Sequence, residues 1–368
     1  MRIVYFSHAL SSCWNHGNAH FMRGILRELI AEGHDVVSLE PTTSWSRENL
    51  LADAGPEAAD SWQSAYPELE AGTFTPADEP ARLVDGADLV IVHEWTDPAL
   101  VAQLGALRRG GARFTLLFHD THHRAVSDPA AMRAYDLDGY DGILAFGETL
   151  AEIYRGWGWQ GRVFVWHEAA DIRLFHPPVE ATERTGAVWI GNWGDGERTA
   201  ELEDFLLRPT ATLGLPLTIH GVRYPDEARA LLARYGADYR GWLPNHRAPE
   251  IFARHLLTVH VPRRFYATQL PGIPTIRIFE ALACGIPLVS APWEDREGLF
   301  TPGEDYLVAR TGDEMTAQLR RLQNEPDLRA SLAAHGLATI RARHTCSIRV
   351  AELLAIVALL RAQKPSND

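Results

Sequence analysis

The segment LPGIPTIRIFEALACGIPLVS, residues 270–290, sets a cation and a carboxylate three positions apart, Arg277 and Glu280, just inside a helix start marked by Gly272 and Pro274. Residues at that spacing share a helix face, while Ile278, Leu282 and Ala283 are free to pack. Amides at a helix N-terminus with an arginine beside them suit a nucleoside diphosphate, and Glu280 can accept hydrogen bonds from ribose hydroxyls. An ordinary intrahelical ion pair is the plainer alternative; the flanking Gly and Pro favour a ligand site. A second candidate is LLFHDTHHR, residues 116–124, where His119 and Asp120 end an apolar run. Its imidazoles with Asp120 could ligate a metal, but no further ligand cluster supports that, and a structural role suits His122 and His123 better. His93 and Glu94 end another run and could equally be capping groups. A third is HALSSCWNHGNAH, residues 8–20, in which Gly17 and Asn18 precede a long helix. This is either an anion site or a plain turn with Asn18 as N-cap, and no GxGxxG is present.

These residues need strand ends and helix starts to position them. Val/Ile/Leu-rich runs at 2–7, 35–39, 88–92, 113–118, 141–145 and 162–166 alternate with helical periods, the pattern of parallel sheets with crossover helices. Met22, Ile25, Leu26, Leu29 and Ile30 form one apolar stripe closed by Gly33. Residues 41–80 break the period and read as a surface excursion. Pro177–Pro178 and the charged residues after them read as a linker. Beyond it the rhythm resumes, with strands at 186–191, 216–220, 237–240, 256–261 and 286–290. Helices are expected at 197–207, 225–235, 246–255, 274–284, 312–323, 326–341 and 347–362. The expected domains are 1–170, a linker 171–184, 185–345, and a terminal helix 346–368. Open parallel sheets bind ligands at their carboxyl edges, so the expectation is a cleft between two doubly wound α/β domains.

Composition narrows the chemistry. The 368 residues hold 35 Lys and Arg against 48 Asp and Glu, a net charge of −13 that disfavours nucleic-acid or anionic-membrane partners. The single lysine is Lys364, which argues against Schiff-base chemistry and a Walker lysine. Cys13, Cys284 and Cys346 lie far apart without CxxC spacing, so neither a disulfide framework nor a thiolate zinc site is expected. With no signal peptide and no run long enough for a transmembrane segment, the expected setting is cytoplasmic.

FEALACGIPLVS resembles the donor-binding helix of GT-B glycosyltransferases, especially the retaining group with the glycogen-synthase, sucrose-synthase and spore-maturation types. WHEAADIRLFHP is similar to the segment that closes their first domain, AVWIGNWGDGER to the opening strand and loop of the nucleotide domain, and YRGWLP to the loop that contacts the base. The resemblance implies a GT-B fold of two Rossmann-like domains and transfer of a sugar from a nucleotide diphosphate donor, UDP favoured, to an unidentified acceptor. The donor is then a substrate, and no cofactor or metal is expected. It implies donor contacts at Gly17, Asn18, Asn192, Trp242, Leu243, Gly272, Ile273, Thr275, Ile276 and Glu280, and a role for His119 near the donor sugar with Asp120 as lesser partner. Two departures stand out. The first of the family's paired glutamates is Gly272, so backbone amides near Gly272 and Ile273 are expected to meet the sugar. The phosphate lysine is absent; Arg198 is the first replacement, then Arg263 and Arg264, with Arg277 assisting. A nucleotide-sugar epimerase or hydrolase, or a non-catalytic nucleotide-sugar-binding protein, are the rival readings.

Overall fold

The computed structural model describes residues 1–159, 161–180 and 183–363. Lys364 and the tail, and residues 181–182 of the expected linker, lie outside the described residues. The chain divides into two compact units, Met1–Glu168 with the chain from Cys346 onward, and Ala169–Thr345.

The first unit is built on seven parallel strands: β1 (Arg2–Phe6), β2 (Asp35–Pro41), β3 (Ala71–Phe74), β4 (Leu89–His93), β5 (Thr115–Asp120), β6 (Gly142–Ala145) and β7 (Arg162–Val165). Their order is β3-β2-β1-β4-β5-β6-β7. Every residue of β4, β5 and β6 is buried, as expected of inner strands covered on both faces by crossover helices. The helix Ala19–Ala31 buries the predicted stripe Met22, Ile25, Leu26 and Leu29, and Gly33 leaves it at φ +82°, a conformation suited to glycine. The apolar terminal helix Cys346–Ala362 belongs to this unit; the Arg349 carbonyl accepts from Trp166 Nε1 at 2.8 Å, and the Asp88 carbonyl from Arg361 at 2.8 Å.

Residues 41–80 are more ordered than their composition suggests. They form a helix, Trp45–Asp60, broken at Gly55 (φ 79°) before Pro56, and then strand β3, which pairs with β2 from Ser38↔Ala71. Four-residue β3 is too short, and the Gly-Pro break too disruptive, for a periodicity reading to find either.

The second unit holds six parallel strands: β8 (Ala187–Ile190), β9 (Leu217–His220), β10 (Asp238–Tyr239), β11 (Leu257–His260), β12 (Leu288–Ser290) and β13 (Leu307–Val308). They run in the order β10-β9-β8-β11-β12-β13. The helix expected at 197–207 is instead Thr199–Leu202, a π-helical turn Glu203–Leu207, and Arg208–Thr212. Pro209, which has no N–H to give, sits at that junction. Leu202, Leu206, Leu207 and Met315 close the core against β8 and β9. Among the described residues no helix is long and apolar enough to cross a membrane, and Cys13, Cys284 and Cys346 form no disulfide.

In both sheets strand order reverses once, between β1 and β4 in the first unit and between β8 and β11 in the second. The carboxyl ends flanking such a reversal diverge and leave a crevice, where doubly wound sheets hold ligands.

Candidate active site

At the reversal of the second sheet, β11 ends in buried His260. Its Nδ1 lies 2.9 Å from Ser290 Oγ and its Nε2 3.0 Å from Thr275 Oγ1. The Ser290 hydroxyl already donates to the Ala291 carbonyl at 2.7 Å, so it accepts from His260 Nδ1–H, which leaves Nε2 to accept from Thr275. Burial first, then Arg198 and Arg277, push the imidazole pKa down to about 3. It stays neutral in a field made positive by two guanidiniums.

Thr275 stands at the N-cap of the helix Ile276–Ala283, yet its side chain makes no cap bond, because the hydroxyl is committed to His260. The helix N-terminus is therefore left without a side-chain cap, carrying its partial positive charge. Gly272, at φ +94°, makes the turn into this helix; a Cβ there would lie 3.3 Å from Arg296 Cβ.

Arg277 and Glu280 form a buried ion pair, with the Arg277 side chain 17 % exposed and the Glu280 side chain 0 %. Asn245 Nδ2 donates to Glu280 Oε1 at 2.8 Å while Arg277 Nη1 donates to Oε2. Glu280 is thus turned inward, tying the helix to the loop at 241–245. In this geometry it orients Arg277 and does not offer the exposed acceptor expected for a ribose. Trp242 and Leu243 on that loop are half-buried, and Trp242 Nε1 has no hydrogen-bond partner among the described residues. Ile273, expected to offer its amide, donates it to the Leu270 carbonyl at 3.3 Å and is buried. Ile276 is buried at the helix start.

The loop after β8 carries the next cations. Arg198, expected as the phosphate ligand, is buried and donates through Nη1 to the Val261 carbonyl (2.6 Å) and through Nη2 to the Asn192 carbonyl (2.7 Å), above the Trp189 ring. Desolvation chiefly, with Arg263 contributing, lowers its pKa to about 10. Both terminal nitrogens are consumed by carbonyls, so Arg198 shapes the loop and supplies potential in place of chelating. Asn192 Oδ1 accepts from the Val222 N–H at 2.9 Å. Arg263 is more accessible; it reaches Glu197 at 2.7 Å and Asp195 at 3.5 Å. Arg264 turns to Glu201, at 2.9 Å.

At the reversal of the first sheet, histidines gather at strand ends. His8 follows β1, His93 ends β4 and His119 lies beside it on β5 in register. The rings of His8 and His16 are 4.2 Å apart, those of His8 and His93 5.7 Å, and those of His93 and His119 5.7 Å. His119, expected to meet the sugar, is 0 % exposed. Its Nδ1 is 2.8 Å from Tyr5 Oη, and its ring packs on Trp166. Asp120 is equally buried, accepting from Tyr154 Oη at 2.7 Å and the His122 N–H at 3.0 Å. Half-buried His8 and His122 and exposed Trp95 form the accessible rim. Gly17 and Asn18 are half-buried beside it, and Asn18 is no side-chain cap: its Nδ2 donates to the Thr121 carbonyl at 3.1 Å.

Glu94, which the sequence places at this rim with capping as the alternative, does not reach it. It is fully buried, and desolvation pushes its pKa up to about 8; Asp120, desolvated and repelled by Glu94, rises to about 7. His93 Nε2 lies 2.9 Å from Glu94 Oε2 without hydrogen-bond alignment. Burial holds His93 and His8 down to about 3. That contact therefore joins a neutral imidazole to a protonated acid at neutral pH. Among the described residues no group of three or more His, Cys, Asp or Glu is placed to hold a metal ion.

Residues 198–355 match the family model described as glycosyl transferase-like. No curated protein matches the sequence. Solved structures do. The sucrose-phosphate synthase from Thermosynechococcus elongatus superposes with a TM-score of 0.68 at 15 % identity, covering 98 % of this chain and 99 % of that one. Anabaena HepE, solved in complex with UDP and glucose, gives 0.68 at 13 % identity over 97 % and 99 %. T4 phage BGT, in complex with its UDP-glucose substrate, gives 0.62 at 11 % over 98 % and 99 %. At these identities the likeness establishes the fold, two Rossmann-like sheets in the GT-B arrangement of strands and helices.

Proposed function

We propose that this chain, whose fold is that of GT-B glycosyltransferases and whose residues 198–355 match a glycosyl transferase-like family model, moves a sugar from a UDP-sugar to an acceptor hydroxyl, with retention of configuration and without a metal ion. The observation that carries the reading is the reversal of the second sheet. There an uncapped helix N-terminus, the Arg277–Glu280 pair and the neutral His260 meet within the region matched to a glycosyl transferase-like family. UDP in the HepE structure and UDP-glucose in the BGT structure support uracil as the donor base.

As the bond from sugar to diphosphate breaks, negative charge grows on the leaving phosphate. Preorganised donors aimed at it stabilise the transition state, each typically worth about 10²–10³ in rate. In this chain those donors are the Ile276 and Arg277 amides that open the helix Ile276–Ala283, the Ile278 N–H being given to the Thr275 carbonyl, and the Arg277 side chain, held in place by Glu280 and Asn245. Arg263 joins them by exchanging Asp195 and Glu197 for phosphate oxygens, while Arg198 fixes the loop that presents it. Trp242 and Leu243 flank the base. The cations take over the charge neutralisation that a metal ion supplies elsewhere. Retention follows if the departing phosphate itself takes the acceptor proton, so that no separate base is obligatory. The first unit supplies the acceptor side. There His119 and Asp120, locked by Tyr5 and Tyr154, act from behind the rim of His8 and His122 and position it.

Calorimetric titration with UDP, UDP release from UDP-glucose, and NMR of the product anomer test this. Saturable UDP binding that Arg277→Met weakens by about ten- to a hundredfold, turnover in excess chelator and an α-linked product are expected. Absence of UDP binding removes the donor assignment, loss of turnover in chelator removes metal independence, and a β-linked product removes retention.

A further inference from the structure

The first unit contains a polar cavity of about 290 Å³ on the carboxyl side of β1, β2 and β3, apart from the histidine rim. Ser11, Glu40, Arg47, Asp60, Gln63 and Thr73 line it. Each comes from an element that places it there. Ser11 follows β1, Glu40 lies near the end of β2 and Thr73 near the end of β3. Arg47 is in the first turn of the helix Trp45–Asp60, with Asp60 and Gln63 at its far end.

One wall is built rigidly. The buried Glu40 carboxylate receives the Ser11 N–H at 3.0 Å and the Ser11 hydroxyl, and Arg47 Nη1 donates to that same hydroxyl oxygen at 3.2 Å. Ser11 thus accepts from Arg47 and donates to Glu40, which orients the guanidinium along the wall. Among the described residues Arg47 has no carboxylate partner, and the exposed Asp60 and Gln63 side chains make no hydrogen bond. The remaining guanidinium nitrogens and the Gln63 amide offer donors, and Asp60 and the Gln63 oxygen offer acceptors. A wall that alternates donors and acceptors matches groups that both give and take hydrogen bonds, which is what hydroxyls do. Two carboxylates against one guanidinium disfavour an anionic ligand. The volume sits at the small end of ligand pockets, about 300–1,000 Å³, the size of one sugar ring and not of a polymer.

We infer that this cavity binds the acceptor, and that the acceptor is a neutral, hydroxyl-rich molecule of sugar type. The inference rests on the transferase reading for the word acceptor, but the binding claim stands without it. The connecting feature is the loop between β1 and the helix Ala19–Ala31. It carries Ser11 into the cavity wall, His8 onto the rim and buried His16 behind it, beside His93. A molecule seated against Ser11 and Arg47 is thereby fixed relative to the histidines by a single short segment.

Saturation-transfer NMR with glucose, maltose and glucose 6-phosphate on the full chain tests binding directly, in the wild type, Arg47→Met and Gln63→Ala. Gln63 is exposed, so its variant keeps the experiment informative if Arg47→Met folds poorly. Glucose or maltose should bind the wild type, weaken at least tenfold in Arg47→Met and severalfold in Gln63→Ala, and outcompete glucose 6-phosphate. With UDP-glucose as donor, the acceptor KM should rise by the same factors while the donor KM moves less than twofold. Equal sugar binding in all three proteins overturns the inference, as does tighter binding of glucose 6-phosphate. Sugar binding lost in the variants, with no UDP-glucose consumed by the wild type, leaves the cavity assignment standing and removes the transferase reading. Turnover with unchanged acceptor KM does the reverse.

Discussion

Replacing Arg277 by methionine strands the Glu280 carboxylate in a fully buried site, where one oxygen keeps Asn245 and the other loses its guanidinium. Removing one partner of a buried pair costs about 3–5 kcal/mol, because an uncompensated charge remains. Arg277 retains some solvent contact and Asn245 still holds one oxygen, so about 3 kcal/mol is expected. In a unit of this size each kcal/mol shifts the midpoint by roughly 2–4 °C, which places the loss near 6–12 °C. The double variant Arg277→Met, Glu280→Leu removes both charges and should recover stability to within about 1 kcal/mol of the wild type, since apolar replacement of a buried pair is often neutral. It should not recover UDP. A charge-assisted hydrogen bond is worth about 1.5–3 kcal/mol, so UDP affinity should remain lower by between ten- and a hundredfold in both variants. Urea unfolding and UDP calorimetry on the same four proteins, including Glu280→Leu alone, read the two effects separately. If the double variant is as unstable as Arg277→Met, stranded charge is not the cause. If it binds UDP like the wild type, Arg277 does not meet the phosphate.

The remaining expectations concern protons and loops. Glu94 holds its proton up to about pH 8 when folded but only to about 4.5 when unfolded, so its contribution is present at low pH and lost as pH rises through that window, by up to about 1.4 kcal/mol per unit. Glu94→Gln should flatten that decline in urea titrations between pH 5 and 8; an unchanged slope would rule Glu94 out. His260 binds its proton near pH 6.5 when unfolded and near 3 when folded, so stability falls as pH drops through that interval, and His260→Gln should soften the acid limb of unfolding. Tyr154→Phe removes a hydrogen bond that lowers the Asp120 pKa. It should cost about 1–3 kcal/mol and move the limb of the kcat profile near pH 7 upward; a shift downward would contradict the assignment. Arg198→Lys cannot bridge the Asn192 and Val261 carbonyls with a planar fork, so it should raise the UDP Kd at least tenfold and accelerate proteolysis of the loop at 192–198.

The parallel strands were legible because buried β4 and β5 carry almost no polar residue before their ends, and the Arg277–Glu280 spacing was legible because Gly272 and Pro274 punctuate it. The partners that decide what those residues do were not. Glu280 reads as a ligand for ribose until Asn245, thirty-five positions earlier, is seen to hold its carboxylate. Arg198 reads as a chelator until the carbonyls of Asn192 and Val261 take its nitrogens. Local pattern reports which residue stands at a strand or helix end; it does not report what long-range pairing leaves free. One signal of that long-range order was nevertheless present in the sequence. Strands β4, β9 and β11 each terminate in histidine, β1 is followed by Ser7 and His8, and His119 is the penultimate residue of β5. Since parallel strands of a doubly wound sheet align their carboxyl ends, histidines at the ends of β1, β4 and β5 must converge once the strand order is β1-β4-β5. Topology, more than any single motif, turns the scattered imidazoles of His8, His93 and His119 into one cluster in the first unit and sets a neutral His260 beneath the arginines in the second.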